Sequence, residues 1–196
     1  MRIFFRSQEA RFALHQRKLH AARLSFDESA EFPERTIENV ISETGVDLRA
    51  CDLDWFFRYD LFPQALLRSY GDWKTANRGM AAGDVIVLQA HMPPGRFNLK
   101  LLFGVRVLSV YRSAAAAGFR YGTLEGHPEK GTNEFSFTVD ERGIVATIRT
   151  RAALALPISR LFAFAVKPFI AFSNRAALRR MREQFLRHNA AATPVR

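Results

Sequence analysis

Apolar and polar positions follow two different periods along this chain. In Ser7–Leu24 the larger apolar residues are Phe12, Leu14, Leu19 and Leu24, with no Gly or Pro between them, which predicts a helix. Glu31–Glu34, around Pro33, reads as a turn. Thr36–Thr44 carries Ile37, Val40 and Ile41 and fits a helix or a strand, with Gly45 ending either. Leu53–Asn77 is rich in aromatics. Its Leu66, Leu67, Tyr70 and Trp73 recur at three- and four-residue spacing, so the segment is predicted to be largely helical.

From Gly83 the period falls to that of strands. Asp84–His91 is a strong strand candidate, ended by Pro93, Pro94 and Gly95. Phe97–Tyr111 is long enough for one bent strand or a pair, and Phe119–Leu124 predicts another. Glu134–Val139 alternates, with Phe135, Phe137 and Val139 facing one way and Ser136 and Thr138 the other. The short connection Asp140–Gly143 predicts an antiparallel hairpin with Ile144–Arg151. The helical period then returns. Pro157 suits a helix start, and Pro168 must end or kink that helix. In Phe169–His188, Ile170, Ala177, Leu178, Met181 and Phe185 share one face; Arg175, Arg179 and Arg182 share another.

Strands joined by short turns favour an antiparallel sheet, and a long helix with an apolar stripe needs a concave apolar surface. The predicted fold is therefore α+β. A curved antiparallel sheet packs helix-grip fashion against a long C-terminal helix, with an extra N-terminal helix. The expected layout is one domain over residues 1–190 with a flexible tail at 191–196. Its parts are an N-terminal helix near 7–24, a helical segment near 53–77, a sheet near 84–151 and a C-terminal helix near 158–188. Such an architecture often leaves a cavity between helix and sheet.

Composition adds four points. Eighteen Phe stand against four Tyr and two Trp, so most aromatic surface has no polar handle and belongs in a core or an apolar pocket. The single Cys51 allows no intrachain disulfide, which together with the absence of a signal-like h-region suits a cytoplasmic protein. Residues 1–141 carry 18 Lys/Arg and 18 Asp/Glu, whereas residues 142–196 carry 11 Lys/Arg and only Glu183. The net charge of +10 thus sits in the last segment. It reads as a solvated helix face or as a surface for phosphates. Ala152–Phe172 holds Arg160, Lys167 and two prolines, against a membrane span.

Motifs for familiar chemistry are missing. The five histidines show no metal-ligand spacing, so no metal or cofactor is expected. Cys51 has no evident catalytic partner, no G-x-S-x-G occurs, and the glycines form neither a P-loop nor a dinucleotide fingerprint. What remains is Gly118–Gly131, GFRYGTLEGHPEKG, in which four glycines imply sharp turns or close backbone approach. Within it His127 lies near Glu129, with Glu125 and Glu134 flanking. That is either a proton-transfer pair or an anchored loop.

The stretch GFRYGTLEGHPEKGTNEFSF resembles the signature of the uncharacterised DUF1990 family, also called UPF0548. The resemblance rests on Gly118, Phe119, Tyr121, Gly122, Thr123, Leu124, Gly126, His127, Pro128, Glu129, Gly131, Glu134 and Phe135. FGVRVLSVY, the start FFRSQEARFALHQRKL and the basic C-terminal helix are also similar. Glu125 stands where the family usually has Pro, and Asn133 where it usually has Glu. RTRAALALP at Arg149–Pro157 lacks the family's usual Ser-Arg-Pro ending. The resemblance brings no established activity, and by analogy it implies a START/Bet v 1-like (SRPBCC) fold with a cavity for an apolar ligand.

Three functions are carried forward. The first is binding of an apolar or lipid-like small molecule, with Phe103, Arg106, Tyr121, Thr123, Phe135, Phe137, Phe162, Phe169 and Met181 as candidate lining. The second is an enzyme of hydrolase, cyclase or isomerase type using His127, Glu129 or Tyr121 in the same cavity. The third is a peripheral partner of anionic membrane or nucleic acid through the basic C-terminal helix. Nucleic acid ranks lowest, because no aromatics interleave with the basic residues of Asn174–Arg187.

Overall fold

The computed structural model of the chain describes residues 2–27, 29–42, 46–92, 99–155 and 163–190. The elements in chain order are β1 (Arg2–Phe4), a 3-10 turn (Glu9–Arg11), α1 (Phe12–His20), β2 (Glu34–Ser42), α2 (Asp54–Phe57), β3 (Leu67–Gly71), α3 (Trp73–Ala76), β4 (Val85–Met92), β5 (Leu99–Arg112), β6 (Ala116–Thr123), β7 (Glu129–Asp140), β8 (Gly143–Leu154) and α4 (Ala163–His188). All strands join one sheet in the order β2-β8-β7-β6-β5-β4-β3, with β1 beside β5, and every pairing is antiparallel.

The sheet curves around α4. Register shifts at Val107/Ser109 in β5 and Val40/Ser42 in β2 add local bends. The inner face buries Phe119, Tyr121, Phe135, Phe137, Ile144, Ala146 and Ile148 against Ala177, Leu178, Met181 and Phe185 of α4. On the outer face α1 covers β4, where Phe12 packs with Val87 and Leu102. Gln16 fixes α1 by donating from Nε2 to the Val85 carbonyl at 3.2 Å. Covering both faces explains why β4 reads as a continuous apolar run rather than an alternating one.

The helix-grip arrangement expected from the sequence is the observed one, and the strands from Asp84 onward overlap those that the two-residue period predicts, except that β7 already begins at Glu129, within the stretch read as a loop before Glu134–Val139. Four expectations are corrected or completed. The N-terminal helix is shorter than 7–24, because helical geometry ends at His20. Glu34–Ser42 is a strand, since β2 closes the β8 edge. Phe97–Tyr111 is one bent strand over its described part, running from Leu99 to Arg112. The 53–77 segment is not a helix. Leu67–Gly71 pairs with β4, Tyr70 opposite Val87, and only single helical turns remain at α2 and α3. Pro168 lies inside α4. Pro93, Pro94, Gly95, Pro157, Phe162 and 191–196 fall outside the described residues.

α2 ends in a left-handed turn. Tyr59 takes φ +62°, with Asp60 N–H bonded back to the Trp55 carbonyl at 3.0 Å. That turn throws Trp55, Phe56 and Tyr59 into the trough between sheet and α4. Phe56 stands 5.1 Å from Phe119 and 5.0 Å from Phe137, centroid to centroid. The C-terminus of α4 is locked to the same segment. Asn189 accepts from the Asp52 N–H at 2.8 Å, and Arg180 binds both Asp60 carboxylate oxygens at 2.7 and 2.8 Å.

Candidate functional site

The trough is filled at the α2 end and open at the other. Where Ile170–Arg175 of α4 crosses β8 and β2, a cleft of about 460 Å³ remains. Its walls are Pro33, Ile37, Ile148, Ala152, Ala153, Leu154, Ile170 and Ala171. Its polar groups are Arg35, Glu129, Thr150, Asn174 and Arg175. A volume of this size falls in the range of small-molecule sites.

Register explains how these polar groups converge. Tyr121 opposes Asn133, Asn133 opposes Thr150, and Thr150 opposes Arg35, so one row crosses the inner face of four strands. Thr150 donates from Oγ1 to Asn133 Oδ1 at 2.5 Å. The Asn133 amide lies beside the Tyr121 hydroxyl, which burial holds protonated far above the usual tyrosine range. The row thus begins in the core and ends at the cleft.

Glu129 enters the cleft at the start of β7, and the turn before it is tightly held. Gly126 and Gly131 adopt φ of +81° and +138°. A Cβ on Gly131 would collide with the Arg151 carbonyl oxygen, so only glycine lets β7 and β8 approach this closely there. Thr123 Oγ1 accepts from the Gly131 N–H at 2.9 Å and donates to its carbonyl at 3.2 Å. His127 accepts the Glu129 N–H at Nδ1, 3.0 Å away, and packs edge-on to Phe103 at 4.6 Å. Burial drives the His127 pKa down to about 3, so the ring is neutral. The same cause raises the Glu129 carboxyl to about 7, with Arg35 pulling weakly the other way.

His127 and Glu129 therefore touch, but through the ring and the main chain. His127 anchors the turn, and the carboxyl alone faces the cleft. Tyr121, Phe135, Phe137 and Met181 are buried in the aromatic core, and Phe169 packs against it. Thr123 braces the turn, and Phe103 supports His127. Arg106 donates to the His20 and Ala22 carbonyls at 3.0 Å each, tying down the end of α1. Phe162 lies outside the described residues. Of the twelve groups lining the cleft besides Glu129, only Arg175 carries a candidate role in the sequence reading, as part of the basic helix face. A signal for them existed in β8, where the inward run passes from Ile144, Ala146 and Ile148 to Thr150 and Ala152, polar and then small.

On α4, Leu178, Met181 and Phe185 are buried, so the apolar stripe is structural; Arg175, Arg179, Arg182 and Arg187 are exposed. Among the described residues no helix is long and apolar enough to cross a membrane, and no cluster of three potential metal ligands occurs.

The profile of a family described as "Domain of unknown function (DUF1990)" matches residues 54–184. A "UPF0548 protein" of Deinococcus radiodurans is 29% identical over 130 residues, covering 65% of this chain. The match spans 64% of that relative's length. Among solved structures, the di-domain ARO/CYC StfQ from the steffimycin biosynthetic pathway superposes with a TM-score of 0.53 at 11% identity, over 82% of this chain and 52% of that one. An uncharacterized protein from Rhizobium leguminosarum superposes with 0.51 at 14% identity, over 81% and 97%. At such identities the likeness is one of fold.

Proposed function

The chain belongs to the DUF1990 family, and from that premise we propose that it binds an apolar small molecule in the cleft between β8, β2 and α4. The observation that carries this reading is the contrast inside one trough. Large rings fill the α2 end, while Ala152, Ala153 and Ala171 leave space beneath Ile170–Arg175. Apolar walls with a few convergent polar groups are the usual composition of a ligand site.

Ala171 is exposed on α4 and lines the cleft, so Ala171→Trp fills the space without disturbing the core. Nile red, a neutral apolar dye, should bind the wild type with one-to-one stoichiometry. Its affinity should fall about tenfold or more in Ala171→Trp, at unchanged melting temperature, because the indole occupies the dye's volume. Equal affinity in both proteins contradicts the reading.

One observation favours a second reading, proton transfer on the bound molecule. A carboxyl titrating near 7 both gives and takes protons at neutral pH. The enzyme reading thus narrows to Glu129, since neither Tyr121 nor the His127 ring joins it in the cleft. It predicts faster exchange of the α-hydrogens of β-tetralone in deuterated water with wild type than with Glu129→Gln. Equal rates exclude it for this substrate class.

A further inference from the structure

The cleft is unevenly charged. Arg35 on β2 and Arg175 on α4 both line it, and the guanidinium of neither is hydrogen-bonded or ion-paired among the described residues. Arginines on the outer face of the same strands are fixed: Arg151 and Arg149 lie beside Glu34, and Arg142 bridges Asp140 and Glu38. Two guanidiniums without a hydrogen-bond partner among the described residues share the cleft with one carboxyl that accepts no side-chain hydrogen bond among them, and that arrangement is incomplete. An anion between them would complete it, because a guanidinium recognises a carboxylate through paired donors.

Resting on the cleft-binding reading, we propose that the ligand is an amphipathic carboxylate. Its apolar body lies along Ile148, Leu154 and Ile170. Its head group is held by Arg35 and Arg175, and it shares a proton with Glu129 that is taken up on binding. An amine would pair with Glu129 but would face both guanidiniums. An alcohol would satisfy Thr150 or Asn174 and leave the arginines unused.

The charged groups around Glu129 fix the sign of the pH effect. Arg35 acts on it from β2, and Arg175 lines the same cleft from α4. From β6 the Tyr121 hydroxyl stays protonated. On the preceding turn the neutral His127 ring meets only its main chain. On β7 Lys130 alternates to the outer face, with Nζ 5.9 Å from the Phe32 ring. On β8 Arg149 and Arg151 also face outward, beside Glu34 and Glu134. A ligand carboxylate arriving in the cleft raises the Glu129 pKa further, so binding consumes a proton and strengthens as pH falls.

Dodecanoate, dodecanol and dodecylamine, titrated calorimetrically into the full chain at about pH 6 and about pH 8, separate the cases. Dodecanoate should bind about tenfold tighter than the alcohol and tighter still than the amine, and it should weaken toward the higher pH. Its heat should vary with the ionisation enthalpy of the buffer, which reports proton uptake. Arg35 and Arg175 are exposed, so Arg35→Met and Arg175→Met leave the fold intact. Each should cost roughly tenfold for the acid and nothing for the alcohol. Glu129→Gln should retain acid binding and lose its pH dependence. Acid and alcohol binding equally, or arginine variants without effect, overturns the anion assignment while leaving the cleft as a site. Probes that bind Ala171→Trp as well as wild type overturn the cleft itself.

Discussion

The two ends of the trough between the sheet and α4 are built from the same elements and do opposite things. At the α2 end, Trp55, Phe56, Tyr59, Phe119, Phe135, Phe137 and Phe185 interlock at centroid distances of about 5–6 Å. At the other end the inward positions of β8 shrink to Thr150 and Ala152, α4 offers Ala171, and a cleft opens. The space here comes from short side chains. The abundant phenylalanines close the trough at its α2 end as core.

The sharpest way to break the contrast is to hollow the filled end. Phe137 is fully buried and touches Trp55, Phe56 and Phe185, so Phe137→Ala should lose about 3–5 kcal/mol in urea unfolding. Ala171→Trp at the open end should change stability by no more than about 0.5 kcal/mol. Similar losses at both ends would remove the distinction.

Polar groups give the next effect. Asn133→Ala strips the Thr150 hydroxyl of its acceptor in a buried row and should cost about 1–3 kcal/mol.

Protons come third, and two residues two positions apart pull in opposite directions. Glu129 rises from 4.5 unfolded to about 7 folded, so its contribution is present below pH 4.5 and is lost as pH climbs through 7. Glu129→Gln should therefore be about 1–3 kcal/mol more stable than wild type above neutrality and gain nothing at acid pH. His127 falls from 6.5 to about 3, so its contribution is present above pH 6.5 and is lost toward pH 3. His127→Gln should flatten that acid limb. Unfolding measured across pH checks both, and parallel curves for wild type and variants would contradict the placement of these groups.

The smallest change tests the boundary between the two ends. The Tyr59 hydroxyl is buried near Tyr121 without a hydrogen bond of proper geometry. Tyr59→Phe should leave stability within about 1 kcal/mol or raise it. A larger loss would mean that the polar row extends past Tyr121 into the aromatic end.

The sheet from Asp84 onward is legible in the sequence because buried antiparallel strands impose a two-residue period, and Asp140–Gly143 marks its hairpin. Leu67–Gly71 is not. Leu67, Tyr70 and Trp73 have helical spacing, and what makes the segment a strand is pairing with β4, a tertiary choice. Gly71 gives a local hint, since the Trp73 ring lies where its Cβ would be. At the site, Glu129 stands out as part of a recognisable signature. Arg35, Thr150, Asn174 and Arg175 do not, because they come from three elements widely separated in the chain and only register and helix placement unite them. The pairing of His127 with Glu129 is legible as proximity. That the ring meets the Glu129 main chain rather than its carboxyl is set by the turn at Gly126 and the start of β7, which the sequence does not display.

The most direct test of the cleft as a site is methyl chemical-shift mapping during titration with dodecanoate. The resonances of Ile37, Ile148, Leu154 and Ile170 should move together and saturate, while those of Leu53, Ile86 and Leu88 in the filled core stay fixed. Shifts centred on the core residues, or none at the four cleft residues, would contradict the account.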